Sequence, residues 1–244
     1  MKALIMAAGK GTRISRHIES YAKCAVSLGK FTLIEHTLNT LKKKGFIDIA
    51  IVVGYEADYI KLLLKNENVT YYYNPFYDVT NSIASLWFAK EFVNKTEDIL
   101  LLNGDVFFED SLLDIVINEK KSPVIFADET RKTEADYKLY YENNILKKYG
   151  KELSGVDITG EYIGIAKITK RFIPKVINKL NELITKQQHD LWWENVIYFM
   201  TNEIDIYVKD INNKFWAEVD YIEDYQRILE FIKVNNLKNE KNFK

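Results

Sequence analysis

Short apolar runs and segments of helical spacing alternate through the first hundred residues. Ala3–Met6, Asp48–Val53 (DIAIVV), Val69–Tyr73 and Ile99–Leu102 are brief, largely uniform in hydrophobicity, and read as strands buried on both faces. Between them, Phe31–Gly45 repeats Leu33, Ile34, Thr37, Leu38 and Leu41 at helical intervals, with Lys42–Lys44 and then Gly45 as a stop signal. Asp58–Lys65 reads as a short helix. Asn81–Val93 reads as a third, with Ile83, Leu86, Trp87 and Phe92 on its apolar side.

The second half has a different texture. Pro123–Asp128, Tyr137–Glu142, Ile145–Tyr149 and Gly164–Ile168 predict strands joined in hairpins rather than through helices. Phe172–Thr185 and Asp190–Thr201 predict helices, Asp205–Val208 and Ala217–Val219 strands, and Asn212-Asn213 a turn between them. Glu223–Val234 predicts a closing helix. There is no internal repeat, low-complexity linker or clean boundary. The expectation is one domain over residues 1–244, in two halves (1–110 and 111–234) with a polar, frayed tail (235–244). The fold class expected is α/β: a Rossmann-like, mostly parallel mixed sheet flanked by helices, with hairpin strands in its second half. Such sheets bind ligands beyond the C-terminal ends of their strands. Ala8, Gly54 and Gly104 therefore belong along one edge.

Composition changes this picture by exclusion. At 244 residues and 47% hydrophobic the chain can bury a sizeable core, and a net charge of −1 does not suggest a nucleic-acid surface. The single Cys24 excludes an internal disulfide and a cysteine-rich zinc site, and no histidine pairing marks it as a nucleophile. The first apolar run is too short for a signal peptide, and no stretch is long enough to span a membrane. A cytoplasmic protein without a membrane partner is expected.

The candidate chemistry begins where the first strand ends. Lys2–Lys23 reads KALIMAAGKGTRISRHIESYAK: an apolar run, then Ala7, Ala8, Gly9, Lys10, Gly11, Thr12 and Arg13. Gly9 and Gly11 lack a Cβ, so the chain can turn sharply and converge its N–H groups into an anion nest. Lys10, Arg13 and Lys23 add positive charge, and a triphosphate is the anion such a loop would take. By itself the spacing also fits a plain turn, since it lacks the third glycine of the dinucleotide fingerprint and the ending of a P-loop. Asp105 (in LLLNGDVFFED) and Asp220 (in WAEVDYIEDY) likewise fit two roles. They could hold a hard divalent cation together, or sit in an exposed turn and cap the last helix.

The pattern A-A-G-x-G-T-R at an N-terminal strand end, with Lys23 following, resembles the signature of the sugar-phosphate nucleotidyltransferase superfamily. Arg16 and Ala22 stand where that family has prolines. The likeness is strongest to its small cytidylyltransferase branch, whose acceptors include phosphocholine, 2-aminoethylphosphonate and phosphoglutamine. It runs through Ile51–Tyr55 (IVVGY), Asn81–Trp87 (NSIASLW), Asn103–Asp105 (NGD), Gly160–Lys167 (GEYIGIAK), Asp190–Asn195 (DLWWEN) and Trp216–Asp220 (WAEVD).

The resemblance implies a nucleotide-diphospho-sugar-transferase type of fold and transfer of CMP from CTP to a small amine- or amino-acid-derived phosphate or phosphonate. Pyrophosphate is released, and the product serves surface polysaccharide modification such as capsule biosynthesis. It implies that Asp105 and Asp220 bind Mg²⁺, that Arg13 and Lys23 are catalytic, and that Ala7, Ala8 and Gly9, with Gly54, Tyr55 and Ser82, surround the base. Lys10, Gly11, Thr12 and Gly104 complete the nucleotide site. Tyr162, Glu161, Trp192, Trp193, Glu194 and Trp216 are candidates for the acceptor, with Arg131 or Lys138 available for an acceptor carboxylate. Each tryptophan also fits a place in the core. A UTP- or dTTP-dependent sugar-1-phosphate enzyme and a non-catalytic nucleotide-binding regulatory domain are the competing readings.

Overall fold

A computed structural model of the chain describes residues 1–11, 22–132 and 134–241, the last six as backbone only. The strands are β1 (Lys2–Ala7), β2 (Ile49–Val53), β3 (Thr70–Tyr73), β4 (Ile99–Asn103), β5 (Val106–Phe108), β6 (Val124–Asp128), β7 (Lys138–Glu142), β8 (Ile145–Gly150), β9 (Gly160–Ile168), β10 (Tyr207–Asp210) and β11 (Trp216–Glu218). The helices are α1 (Leu33–Lys43), α2 (Ala57–Leu63), α3 (Ser82–Phe88), α4 (Lys90–Val93), α5 (Leu112–Asn118), α6 (Ile173–Thr185), α7 (Asn195–Tyr198) and α8 (Ile222–Lys241).

Nine strands form one sheet in the order β3-β2-β1-β4-β9-β6-β10-β8-β7, and β11 pairs with β5 in a separate ribbon. The β3-β2-β1-β4 half is parallel, and β9 enters antiparallel to both β4 and β6. Alternation along β1 separates two core layers, because successive side chains leave a strand on opposite faces. Leu4 and Met6 pack with Ile83, Leu86 and Phe92 on one face. Ala3, Ile5 and Ala7 pack with Ile34, Leu38 and Leu41 on the other. A third cluster, with Val26, Phe107, Val219 and Ile228, seats α8 beside the ribbon. Thr32 and Glu35 close a reciprocal capping box at the start of α1.

Five elements differ from the sequence expectation. Asp190–Thr201 is not one helix; only Asn195–Tyr198 is helical. The preceding backbone is committed elsewhere: the carbonyls of His189 and Leu191 accept from the N–H groups of Asn81 and Ile83. The Asn81–Val93 helix is broken at Ala89 into α3 and α4. Strand β5 and helix α5, in the stretch after Asp105, were not expected at all. The tail is not frayed from Asn235 onward, since α8 continues as backbone helix to Lys241; residues 242–244 lie outside the described residues.

No helix among the described residues is long and apolar enough to cross a membrane.

Candidate active site

Three parallel strands deliver their C-terminal ends side by side. The N–H of Tyr55 donates to the Ala8 carbonyl at 3.1 Å, and that of Gly104 to the Met6 carbonyl at 2.9 Å. These approaches leave no room for side chains. A Cβ on Gly54 would lie 2.7 Å from Tyr77 Cβ, and one on Gly104 2.8 Å from the Met6 carbonyl oxygen. Gly11 has φ +64°, a left-handed conformation, and the stem of Lys23 fills the space where its side chain would stand.

Above these ends opens a cleft of about 380 Å³. One side of it is lined by Ala7, Ala8, Gly9, Gly11, Ser82 and Gly104, together with Asn74, Tyr77 and Ser85. The Asn74 amide donates to the Ser85 hydroxyl at 3.0 Å, and the Ser82 hydroxyl accepts the N–H of Trp193 at 2.9 Å. Gly54 and Tyr55 stand just behind this wall. Tyr55 packs on Tyr77, with the Lys10 ammonium 5.7 Å above its ring.

The ribbon carries the acidic part of the site. Antiparallel pairing sets Glu218 opposite Val106, and the N–H of Val219 donates to the Asp105 carbonyl at 2.8 Å. Carboxylate oxygens of Asp105, Glu218 and Asp220 consequently lie within 4.8 Å of one another. The Lys23 ammonium sits among them, 3.3 Å from Asp105 Oδ2 and bonded to Asp220 Oδ1. Burial by itself would depress this lysine, but Asp105 and Asp220 outweigh burial and hold its pKa above the ordinary value. Burial, then the like charges of Asp105 and Asp220, push the Glu218 carboxyl well above the usual range. Three hard oxygen donors crowded against one another fit a divalent cation, whose charge would relieve that repulsion. Cys24 lines the cleft, and burial raises its thiol to about 12, so it stays protonated.

The remaining wall comes from the second half. Glu161, Tyr162, Trp192 and Glu194 line the cleft, joined by Asp136, Tyr137, Lys151 and Tyr198. Glu161 is bound by Arg131 Nε at 3.0 Å and by the N–H of Asp136 at 2.8 Å. Glu194 accepts from the Asn103 amide at 3.1 Å, and burial lifts its pKa to about 7. The Trp193 indole N–H, a donor only, binds Asn103 Oδ1 at 2.7 Å and so turns the Asn103 amino group toward Glu194.

Two expected acceptor residues require correction. Trp193 and Trp216 are buried and do not line the cleft. Their N–H groups are bound to Asn103 and Asp128, and their rings fill the core. Trp192, 41% exposed, is the indole in the wall. Arg131 is taken up by Glu161 and Glu134, and Lys138 Nζ donates to the Lys151 carbonyl, so on this wall it is Lys151 that lines the cleft. Arg13 and Thr12 lie outside the described residues. Glu218, Asn103 and Lys151 were missed. For Glu218 the only signal was its closeness in the chain to Asp220, two residues on.

The family described as MobA-like NTP transferase domain matches residues 3–151, and the chain belongs to that family of nucleotidyltransferases. Among curated relatives, a CTP:phosphoglutamine cytidylyltransferase of Campylobacter jejuni is 25% identical over 93% of this chain and 98% of its own. A choline-phosphate cytidylyltransferase of Streptococcus pneumoniae is 29% identical over 97% of this chain and 100% of its own. The solved CTP:phosphocholine cytidylyltransferase from Streptococcus pneumoniae superposes with a TM-score of 0.77 at 24% identity, covering 95% of this chain and 98% of that one. The inositol-1-phosphate CTP transferase of T. maritima superposes with the same score at 19% identity, covering 95% and 96%. These likenesses identify the fold as that of nucleotide-diphospho-sugar transferases.

Proposed function

We propose that the chain transfers CMP from CTP to the phosphate or phosphonate of a small amine- or amino-acid-derived acceptor. The observation that carries this reading is the convergence of Lys23 with Asp105, Glu218 and Asp220 beside a glycine-lined strand edge, in a family of nucleotidyltransferases with cytidylyltransferases among its full-length relatives.

An acceptor oxygen attacks the α-phosphorus in line. The new O–P bond forms as the bond to the β-phosphate oxygen breaks, and pyrophosphate leaves with both electrons. The acceptor oxygen is already anionic at neutral pH, so no side chain has to remove a proton. Positioning and charge neutralisation are the catalytic task. Lys23, held protonated by its carboxylates, neutralises charge on the α-phosphate or the acceptor oxygen. Arg13 keeps the role its motif implies, at the leaving phosphates. Asp105 and Asp220, with Glu218, would hold Mg²⁺, which supplies Lewis-acid neutralisation of the phosphate oxygens when bound. Backbone of Ala7, Ala8 and Gly9 with Ser82 offers donors and acceptors to the cytosine.

The test is pyrophosphate release with each nucleoside triphosphate, Mg²⁺ and a panel of phosphates and phosphonates. Release with CTP and an amino-phosphate is the expected result. Release only with UTP or dTTP and a sugar-1-phosphate would overturn the reading, and no release with any pair would favour a regulatory nucleotide-binding domain.

A further inference from the structure

The three clustered carboxylates belong to a ribbon that stands apart from the nine-stranded sheet. Asp105 directly precedes β5, Glu218 ends β11, and Asp220 follows two residues later. The ribbon pairs Val106 with Glu218, Phe107 with Ala217, and Phe108 with Trp216. So short a two-stranded ribbon has little stability of its own, and its twist and register are set by what grips it. The spacing of carboxylates carried on its two strands follows that twist and register.

The rung farthest from the carboxylates is held on both strands by side chains of other elements. On β5, the Phe108 carbonyl accepts from His36 Nε2 of α1 at 2.8 Å. A carbonyl can only accept, so this ring nitrogen carries the proton. The imidazole is stacked on Phe107 at 4.5 Å and on Phe31 at 5.8 Å, which fixes its plane. On β11, the Trp216 indole N–H donates to Asp128 Oδ2 at 2.8 Å, a buried bond to the C-terminal residue of β6. Asp128 Oδ1 accepts the N–H of Thr130 at 2.8 Å and its hydroxyl at 2.6 Å. Three donors thus converge on one buried side chain, which a carboxylate satisfies with acceptors alone and an amide does not. Neither His36 nor Asp128 lines the cleft, so neither is placed to touch a substrate there.

We infer that the Phe108–Trp216 rung is a clamp, and that His36 and Asp128 are positioning residues that set the spacing of Asp105, Glu218 and Asp220 for a divalent cation. The inference rests on the reading of those carboxylates as the cation site of the proposed transferase. His36 ties one strand of the ribbon to α1, and Asp128 ties the other to the nine-stranded sheet. A slip of either strand by one residue would break its tie. With one tie gone the ribbon keeps its ladder but can roll, and the carboxylates no longer meet at one point. Groups that orient metal ligands from behind govern affinity in this way without touching the metal.

The experiment titrates the full chain with Mn²⁺ alone, read by the loss of the free-ion signal in electron paramagnetic resonance. His36→Phe and Trp216→Phe keep a ring and lose the hydrogen bond; Asp128→Ala removes the acceptor. Each should weaken Mn²⁺ binding by about tenfold or more, while calorimetric binding of CTP without metal hardly changes. The double variant Asp128→Ala/Trp216→Phe should bind Mn²⁺ no more weakly than the worse of its two single variants, because both remove the same bond. Leu180→Ala, in the core against α6, should lower the melting temperature and leave Mn²⁺ affinity as it was. Unchanged Mn²⁺ affinity in the clamp variants with a lowered melt would make these bonds structural only and overturn the inference. So would equal weakening by Leu180→Ala, additive losses in the double variant, or failure of the unmutated chain to bind Mn²⁺ at millimolar concentration. Pyrophosphate release by the unmutated chain separates this from the parent reading. Weakened Mn²⁺ binding in the clamp variants without turnover of any acceptor would reject the transferase and uphold the clamp; turnover with unchanged Mn²⁺ affinity in those variants would do the reverse.

Discussion

Lys23 is the residue on which the proposed chemistry turns, because three carboxylates without it would repel one another across a few ångströms. Substitution of Lys23 by Ala should lower kcat far more than it weakens CTP binding, measured by single-turnover kinetics against nucleotide titration; equal losses would make Lys23 a binding residue only. Asp105→Ala and Asp220→Ala should each reduce turnover by about 10²-fold or more with a melting temperature within a few degrees of wild type. Collapse of the melt in either variant would assign that carboxylate a structural role instead. Glu194 makes a separate prediction in pH. Its folded pKa of about 7 lies above the ordinary 4.5 of a glutamate, so the folded state binds this proton more tightly. Stability from this group is complete below pH 4.5 and is lost as pH rises through about 7. Glu194→Gln should therefore raise the melting temperature at pH 8 and hardly change it at pH 4.5. An equal change at both pH values would contradict the burial of an ionisable group there.

At the scale of elements, Gly11 and Gly164 combine a positive φ with a neighbour too close for a side chain. Gly11→Ala would strain a φ of +64° and drive its Cβ to 2.2 Å from Lys23 Cγ. The Lys23 stem must then move, and activity should drop more than tenfold with little change in the melt. Gly164, at φ +75° within β9, faces Val106 Cγ2 at 2.8 Å and Asn103 at 3.1 Å from a would-be Cβ. Gly164→Ala should cost about 1–3 kcal/mol in a denaturant titration, since both the backbone and its neighbours are strained. Buried lysines close the far ends of two helices. Lys2 Nζ donates to the carbonyls of Phe92 and Val93 at the end of α4, and Lys167 Nζ to those of Val116, Ile117 and Glu119 at the end of α5. Both place a cation where a helix dipole is negative.

Across the whole molecule, β9 joins the parallel strands to the rest of the sheet, yet it follows seven other sheet strands in the chain. We propose that residues 1–244 fold as one unit. A fragment of residues 1–151 would lack the strand between β4 and β6 and the whole of β11. It should show no cooperative unfolding by circular dichroism, whereas the full chain should give a single transition. Two separate transitions in the full chain would divide it after all.

The alternation of apolar runs and helical periodicity was sufficient for β1, β2 and β4, because strands buried on both faces are hydrophobic throughout and their ends are marked by glycine; β3, a partly exposed edge strand, was marked instead by its run of tyrosines and by Asn74-Pro75. The phosphate-binding look of Gly9–Gly11 and the acidic character of Asp105 and Asp220 were also visible in the chain itself. Which carboxylates meet was not: Asp105 and Glu218 come together only through the antiparallel β5–β11 pairing, which is a long-range ladder that local spacing does not encode. The same holds for the tryptophans. Trp192 and Trp193 are adjacent and identical in type, yet one lines the cleft and the other fills the core. Composition determines that an indole will find an apolar neighbour and a partner for its N–H; only the packing of distant elements decides which neighbour, and so whether the ring faces a substrate or the protein.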